Sequence, residues 1–340
     1  MPLEALRFDL TPIGLHYLLT HYDIPQVDPA VWRLELGGLV ERPFTLSLDE
    51  LRARPAVEQA VTMECAGNGR AQVEPHVVSQ PWLLEAVGTA SWRGIRLAEL
   101  LEESGVRDGA VEVLFTGLDR GVEGGEEQDY ARSIPLEEAL RDDVFLAYEV
   151  NGVPLPPQHG FPLRLVVPGW YGMTSVKWLA RIDVLDEPFD GYQQRHSYRF
   201  RQEEGEVGEP VRRIQVRALM VPPGMPEFLT RERILRPGEH VLEGRAWSGA
   251  GTVTAVEVST DGGETWAEAE LEDDALGRWA WRRWTFRWDA RAGEHELCCR
   301  ARDDAGNTQP LAPPWNLGGY ANNAVQRVPV IVTDVVSTSP

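Results

Sequence analysis

Long apolar runs, paired cysteines and basic tracts are missing from this chain, and each absence removes a class of protein. No stretch approaches the roughly 20 apolar residues a helix needs to cross a bilayer, so no membrane partner is expected. The amino terminus, Met1 to Phe8, carries no basic segment, apolar core or twin arginine, which points to a cytoplasmic protein. Only 3 cysteines occur in 340 residues, and two of them adjoin at Cys298 and Cys299. That is neither a disulfide framework nor a paired C-x-x-C zinc pattern. Neighbours on a strand face opposite ways, so these two read as small packing residues. No C-x-x-C-H sequence appears, so no haem is expected. Basic residues number 33 against 53 acidic ones, a formal net charge of −20. This balance opposes non-specific binding to nucleic acid. An anionic substrate would have to be drawn by a local cluster of arginine and lysine rather than by the overall field.

What is present is a globular composition, 43% hydrophobic and 25% charged, at a length comfortable for two domains. Residues 1–205 read as an α+β unit of short helices and strands. Ser47-Leu-Asp-Glu50 is a capping-box sequence, and Leu97, Leu100 and Leu101 repeat at helical spacing before a capping Gly105. Ala110 to Phe115 and Leu163 to Val167 are strand-like, and the glycine- and acid-rich stretch from Gly121 to Gln128 reads as an exposed loop. Residues 206–340 change character. Thr254, Val256 and Val258 alternate with other residues, Asp261-Gly262-Gly263 forms a turn, and Trp284, Phe286 and Trp288 line one face of a further strand. Regular strands with turn signals predict an all-β immunoglobulin-like sandwich.

The chemistry concentrates in residues 61–70, Val-Thr-Met-Glu-Cys65-Ala-Gly-Asn-Gly-Arg70. Val61 and Met63 suit one face of a strand, and Gly67, Asn68 and Gly69 supply the backbone freedom to turn sharply and present a thiolate, a soft ligand for a transition metal. Arg70 adds a guanidinium that can hold an oxyanion through two parallel hydrogen bonds. Taken alone, a single cysteine such as Cys65 is more often a small buried apolar residue than a ligand, and a nucleophile with His159 as its base is a further alternative.

Cys65-Ala-Gly-Asn-x-Arg70 resembles the cofactor-binding segment of the sulfite oxidase family of molybdenum enzymes. A second block, from Leu146 through His159, Arg164 and Gly169 to Ser175, Lys177 and Trp178, resembles the same family in the same order. The resemblance implies a molybdopterin-binding catalytic domain over 1–205, followed over 206–340 by an immunoglobulin-like dimerisation domain. It implies that Cys65 ligates molybdenum, and that molybdopterin is held by Tyr17, His21, Asp119, His159, Arg164, Ser175, Val176 and Lys177. Arg164 and Lys177 suit the pterin's phosphate; Asp119 and His159 suit its amide edge. Arg70 and Tyr198 would bind and position the substrate, and an external electron carrier such as a cytochrome would reoxidise the metal.

Three departures bear on the substrate, one of them Thr174, which stands where an arginine is common in the family. The family's usual Arg-Asn-His reads Leu19-Thr20-His21 here, and its Asn-Leu-Arg-Gly reads Asn316-Leu317-Gly318-Gly319. Each lost guanidinium removes a charge-assisted contact of about 1.5–3 kcal/mol to an anion. Oxygen-atom transfer to sulfite is the first expectation, and reduction of an S-oxide or N-oxide by the same cofactor is the alternative. A non-catalytic binding module built around the sandwich is the third.

Overall fold

The computed structural model describes residues 1–334. Strands dominate it. Helices are confined to short segments, of which Leu97–Ser104 is the longest α-helix described. The capping box forms as read: Ser47 Oγ accepts from the Glu50 N–H while the Glu50 carboxylate accepts from the Ser47 N–H. Gly105, at φ 68°, ends the Leu97–Ser104 helix.

Two sheets build the N-terminal part. The first has five strands in the order Phe44–Leu46, Leu34–Gly38, Leu179–Leu185, Glu112–Glu123 and Glu126–Pro135. Its Leu34–Gly38 and Leu179–Leu185 strands pair in parallel. The second aligns Val57–Glu64, Val87–Arg96 and Phe145–Val150 antiparallel, with Arg164–Val166 added to Phe145–Val150. The expected loop from Gly121 to Gln128 is instead the tip of a β-hairpin. Gly124 and Gly125, at φ 63° and 84°, make the two-residue turn, and Glu123 pairs with Glu126. A glycine pair at positive φ matches the twist of a tight hairpin. The acidic composition that suggests a loop belongs to an edge whose side chains face solvent.

The C-terminal part is made of a four-stranded and a six-stranded sheet. Val256, Val258, Leu297, Cys299 and Val328 from one sheet and Ala218, Met220, Leu242, Trp284 and Trp288 from the other share one buried cluster. Phe286 packs against it half-buried. Cys298 and Cys299 are both buried free thiols. A separate cluster joins the two parts: Leu6, Ala66, Tyr171, Met173 and Tyr198 pack on Val211, Ile214, Leu219, Trp247, Trp281 and Ala321. The turn that carries Cys65 therefore rests on the C-terminal sheets. No described helix is long and apolar enough to cross a membrane.

Candidate functional site

The Val57–Glu64 strand ends one residue before the cysteine, and the chain then turns through Cys65 to Gly69. The Asn68 N–H donates to the Cys65 carbonyl at 2.9 Å, Asn68 Nδ2 donates to Glu64 Oε1 at 3.0 Å, and Asn68 Oδ1 accepts from the Ala86 N–H at 3.1 Å. Gly67 leaves room for Arg70: a Cβ there would stand 2.6 Å from the guanidinium, which would have to shift. Gly69 adopts φ 86°. The C-terminal part caps the same turn, with the Ala321 N–H on the Ala66 carbonyl and Asn322 Nδ2 on the Gly69 carbonyl, each at 2.7 Å. Cys65 is 7% exposed. Burial raises its thiol pKa, a Gly67 backbone hydrogen bond and the Arg70 charge only partly opposing this. An unliganded Cys65 is thus a poor nucleophile, and no described hydrogen bond ties it to His159, so the hydrolase reading loses its activated thiolate.

Cys65 stands between two chambers. The inner one is lined by Tyr17, His21, Asp119, His159, Arg164, Ser175, Lys177 and Tyr198. The outer one shares Leu19, His21, Cys65 and Tyr198 with the first and adds Arg70, Ser79, Gln80, Glu123 and Tyr320. Sequence positions more than a hundred residues apart are brought together. Val176 is the exception. Its side chain is fully buried in the core, and its N–H and carbonyl are bonded to Thr174 and Leu165, so it offers nothing to a ligand.

The inner chamber is rich in polar atoms that the protein does not satisfy. Arg164 donates to the His159 and Ser175 carbonyls, each at 3.2 Å, and lies 4.7 Å from the Trp92 ring centroid. Its Nε has no partner, nor has Asp119 Oδ1 or His16 Nε2. Burial lowers Arg164 to about 10 and raises Asp119 to about 7. Lys177 Nζ donates to the Leu19 carbonyl at 2.7 Å, and burial lowers it to about 7. Among the described residues neither Arg164 nor Lys177 has a carboxylate partner within ion-pair distance. Lys177 is also the sole lysine of the chain. Burial holds three histidines neutral, His16 at about 4 and His21 and His159 at about 3. Buried polar groups are normally paired. A cleft with this many orphans, two cations without counter-ions and one thiol suits a metal-bearing cofactor with an anionic tail and a heteroatom edge.

At the junction, Tyr198 adopts φ 55°, is buried, and its hydroxyl is hydrogen-bonded to His21 Nε2. His21 stacks on Tyr130 at 4.2 Å. Arg70 Nε donates to the Gly318 carbonyl at 2.9 Å and its Nη1 to Ser79 Oγ at 3.0 Å, while the guanidinium lies over Tyr320. Gly318 could not carry a longer side chain here without moving Tyr320, whose ring would lie 2.1 Å from an added Cβ. His16, Tyr130 and Tyr320, which line the chambers, were invisible to motif reading. His16 directly precedes Tyr17, and only the fold turns its ring against His159, at 5.7 Å.

A buried cysteine, orphaned donors and two cations without carboxylate partners together make a recess suited to an anionic cofactor. Comparison with known proteins agrees. Residues 21–193 match the oxidoreductase molybdopterin binding domain, and residues 209–333 match the Mo-co oxidoreductase dimerisation domain. The chain is 37% identical to mitochondrial sulfite oxidase of Mus musculus, covering 95% of itself and 62% of that protein. It is 38% identical to sulfite oxidase of Gallus gallus, covering 96% and 73%. With nitrate reductase [NADH] 1 of Oryza sativa subsp. japonica it shares 35% identity over 95% of itself and 38% of that protein. Among solved structures, the sulfane dehydrogenase SoxCD from Paracoccus pantotrophus superposes with a TM-score of 0.84 at 28% identity, covering 98% of this chain and 86% of that one. The chain belongs to the sulfite oxidase family of molybdopterin-dependent oxidoreductases. It spans 62% of the length of the mouse relative.

Proposed function

We propose that this chain is an oxygen-atom-transfer enzyme that oxidises sulfite to sulfate and passes the electrons to an external carrier such as a cytochrome. The observation that carries the reading is the convergence, in one cleft, of Cys65, the unpaired cations Arg164 and Lys177, and the orphaned atoms of His16, Asp119 and Arg164. Cys65 would hold molybdenum through its sulfur. Arg164 and Lys177 would take the phosphate of molybdopterin, and Asp119, His159, Tyr17 and Ser175 its polar edge. When bound, that centre supplies the oxygen transfer and accepts two electrons.

The protein's own part is positioning. Arg70 faces the outer chamber with its guanidinium already oriented by Gly318 and Ser79, ready to receive an oxyanion. Tyr198 stands where both chambers meet, its hydroxyl held by His21, so a substrate proton or water can be passed at the phenolic oxygen. Residues 1–205 form the catalytic unit in this reading, and 206–340 form an immunoglobulin-like sandwich that pairs two copies; the last six residues lie outside those described. Three free buried thiols fit a reducing compartment such as the cytoplasm.

A second reading is favoured by the outer chamber. Arg70 shares it with Glu123, and Leu19 and Gly318 stand where the family's pattern has arginines. A chamber so nearly neutral also suits an S-oxide or N-oxide, to be reduced rather than oxidised. The two separate in steady-state assays on protein from a cofactor-competent host. Sulfite-dependent reduction of ferricyanide supports the first, and oxidation of reduced viologen by a sulfoxide, with no sulfite turnover, supports the second.

A further inference from the structure

Arg132, in the Glu126–Pro135 strand, is 3% exposed and, among the described residues, has no carboxylate within ion-pair distance. Its Nη1 donates to the Gln193 carbonyl, and its Nε has no partner. Burying an uncompensated charge costs several kcal/mol unless an anion meets it. The guanidinium lies 5.4 Å from the Tyr198 ring centroid, Tyr198 lies 5.2 Å from the Tyr320 ring, and the Arg70 guanidinium lies 5.1 Å from Tyr320. Two buried cations therefore bracket two tyrosines whose rings meet at a tilt of 34°, and Tyr198 lines both chambers. Arg132 lines neither chamber, so it cannot serve by direct contact.

We propose that Arg132 is a specificity-determining positioning residue: through Tyr198, it adds the second positive charge that an oxyanion meets beside Arg70. The site then selects a dianion with one arginine in contact and another behind an aromatic ring. A cation over a ring face holds that ring in place, and in a water-poor chamber its field reaches the substrate little screened. This rests on the outer chamber being where substrate enters.

The test uses the holoenzyme as wild type, Arg132→Met, Arg132→Gln and Arg132→Lys. Inorganic sulfate is titrated calorimetrically, and sulfite turnover with ferricyanide is measured alongside molybdenum content. Removing a charge-assisted partner should weaken sulfate about tenfold in Arg132→Met and Arg132→Gln and raise the sulfite KM by a similar factor. The loss should fall on KM rather than kcat, at unchanged molybdenum content, and Arg132→Lys should recover most of the sulfate affinity. A neutral variant that binds sulfate as wild type does overturns the proposal, as does a wild type that binds none. Sulfate binding that depends on Arg132 in an enzyme without sulfite turnover sustains it while removing the proposed reaction. Should the Met variant not fold, the Gln and Lys pair decides.

Discussion

Glu64 and Arg217 form an ion pair across the two halves of the molecule at 3.2 Å, each side chain 1% exposed. Glu64 also accepts from Trp247 Nε1 at 2.8 Å and from Asn68 Nδ2 at 3.0 Å. One carboxylate thus ties the C-terminal sheets to the turn that begins at Cys65. Breaking a buried pair by removing one partner strands a charge, at about 3–5 kcal/mol. Arg217→Met or Glu64→Gln should lose about that much stability in denaturant unfolding, and the double variant should recover part of it. Additive losses in the double variant would show that the two groups do not interact.

Lys177 allows a direct reading of cofactor occupancy. It is the chain's only lysine, burial lowers it to about 7, and its ammonium faces the inner chamber. An amine-reactive reagent should acylate it in cofactor-free protein near neutral pH, and bound cofactor should slow this at least tenfold, on the order of one charge-assisted contact. Peptide mass spectrometry distinguishes it from the amino terminus. Equal labelling with and without cofactor would remove Lys177 from the binding set.

The buried histidines set the acid limit of the cofactor-free protein. His16, His21 and His159 fall to about 4, 3 and 3 from the ordinary 6.5, so their contribution is complete above 6.5 and is lost as pH falls toward 4 and below. Asp119, raised to about 7 from 3.8, acts in the opposite sense over the same window, but as one group against three. Net stability should therefore fall from pH 6.5 to 4, and His21→Asn should flatten that slope. Melting temperatures across the window, in both proteins, check it.

Leu19 lines both chambers where the family pattern has an arginine. Leu19→Arg should lower the sulfite KM about tenfold, as one added charge-assisted contact implies, and should leave the KM of an uncharged sulfoxide unchanged. An unchanged sulfite KM with full molybdenum loading would place the substrate elsewhere.

Local signals made much of this fold legible. The capping box at Ser47, the Leu97–Ser104 helix and the strand leading to Cys65 all follow from neighbours in sequence, and each formed. The Gly121 to Gln128 stretch did not read correctly because acidic residues on a solvent-facing hairpin look like a loop. In the site, a two-block motif located Cys65, Arg70, His159, Arg164 and Lys177. Val176 was carried along by its neighbours although its side chain points into the core. His16 and Tyr320 escaped because their edge-on and tilted ring contacts join distant strands and loops, and Arg132 because its approach to the Tyr198 ring does the same, which no local spacing encodes.

The most direct measurement is a molybdenum absorption-edge spectrum with metal and pterin assay, on wild type and Cys65→Ser made in the same cofactor-competent host. One protein-derived sulfur at the metal in the wild type, lost in Cys65→Ser together with sulfite turnover, is the expected result. Wild-type protein that carries no molybdenum, or a spectrum that Cys65→Ser leaves unchanged, would contradict it.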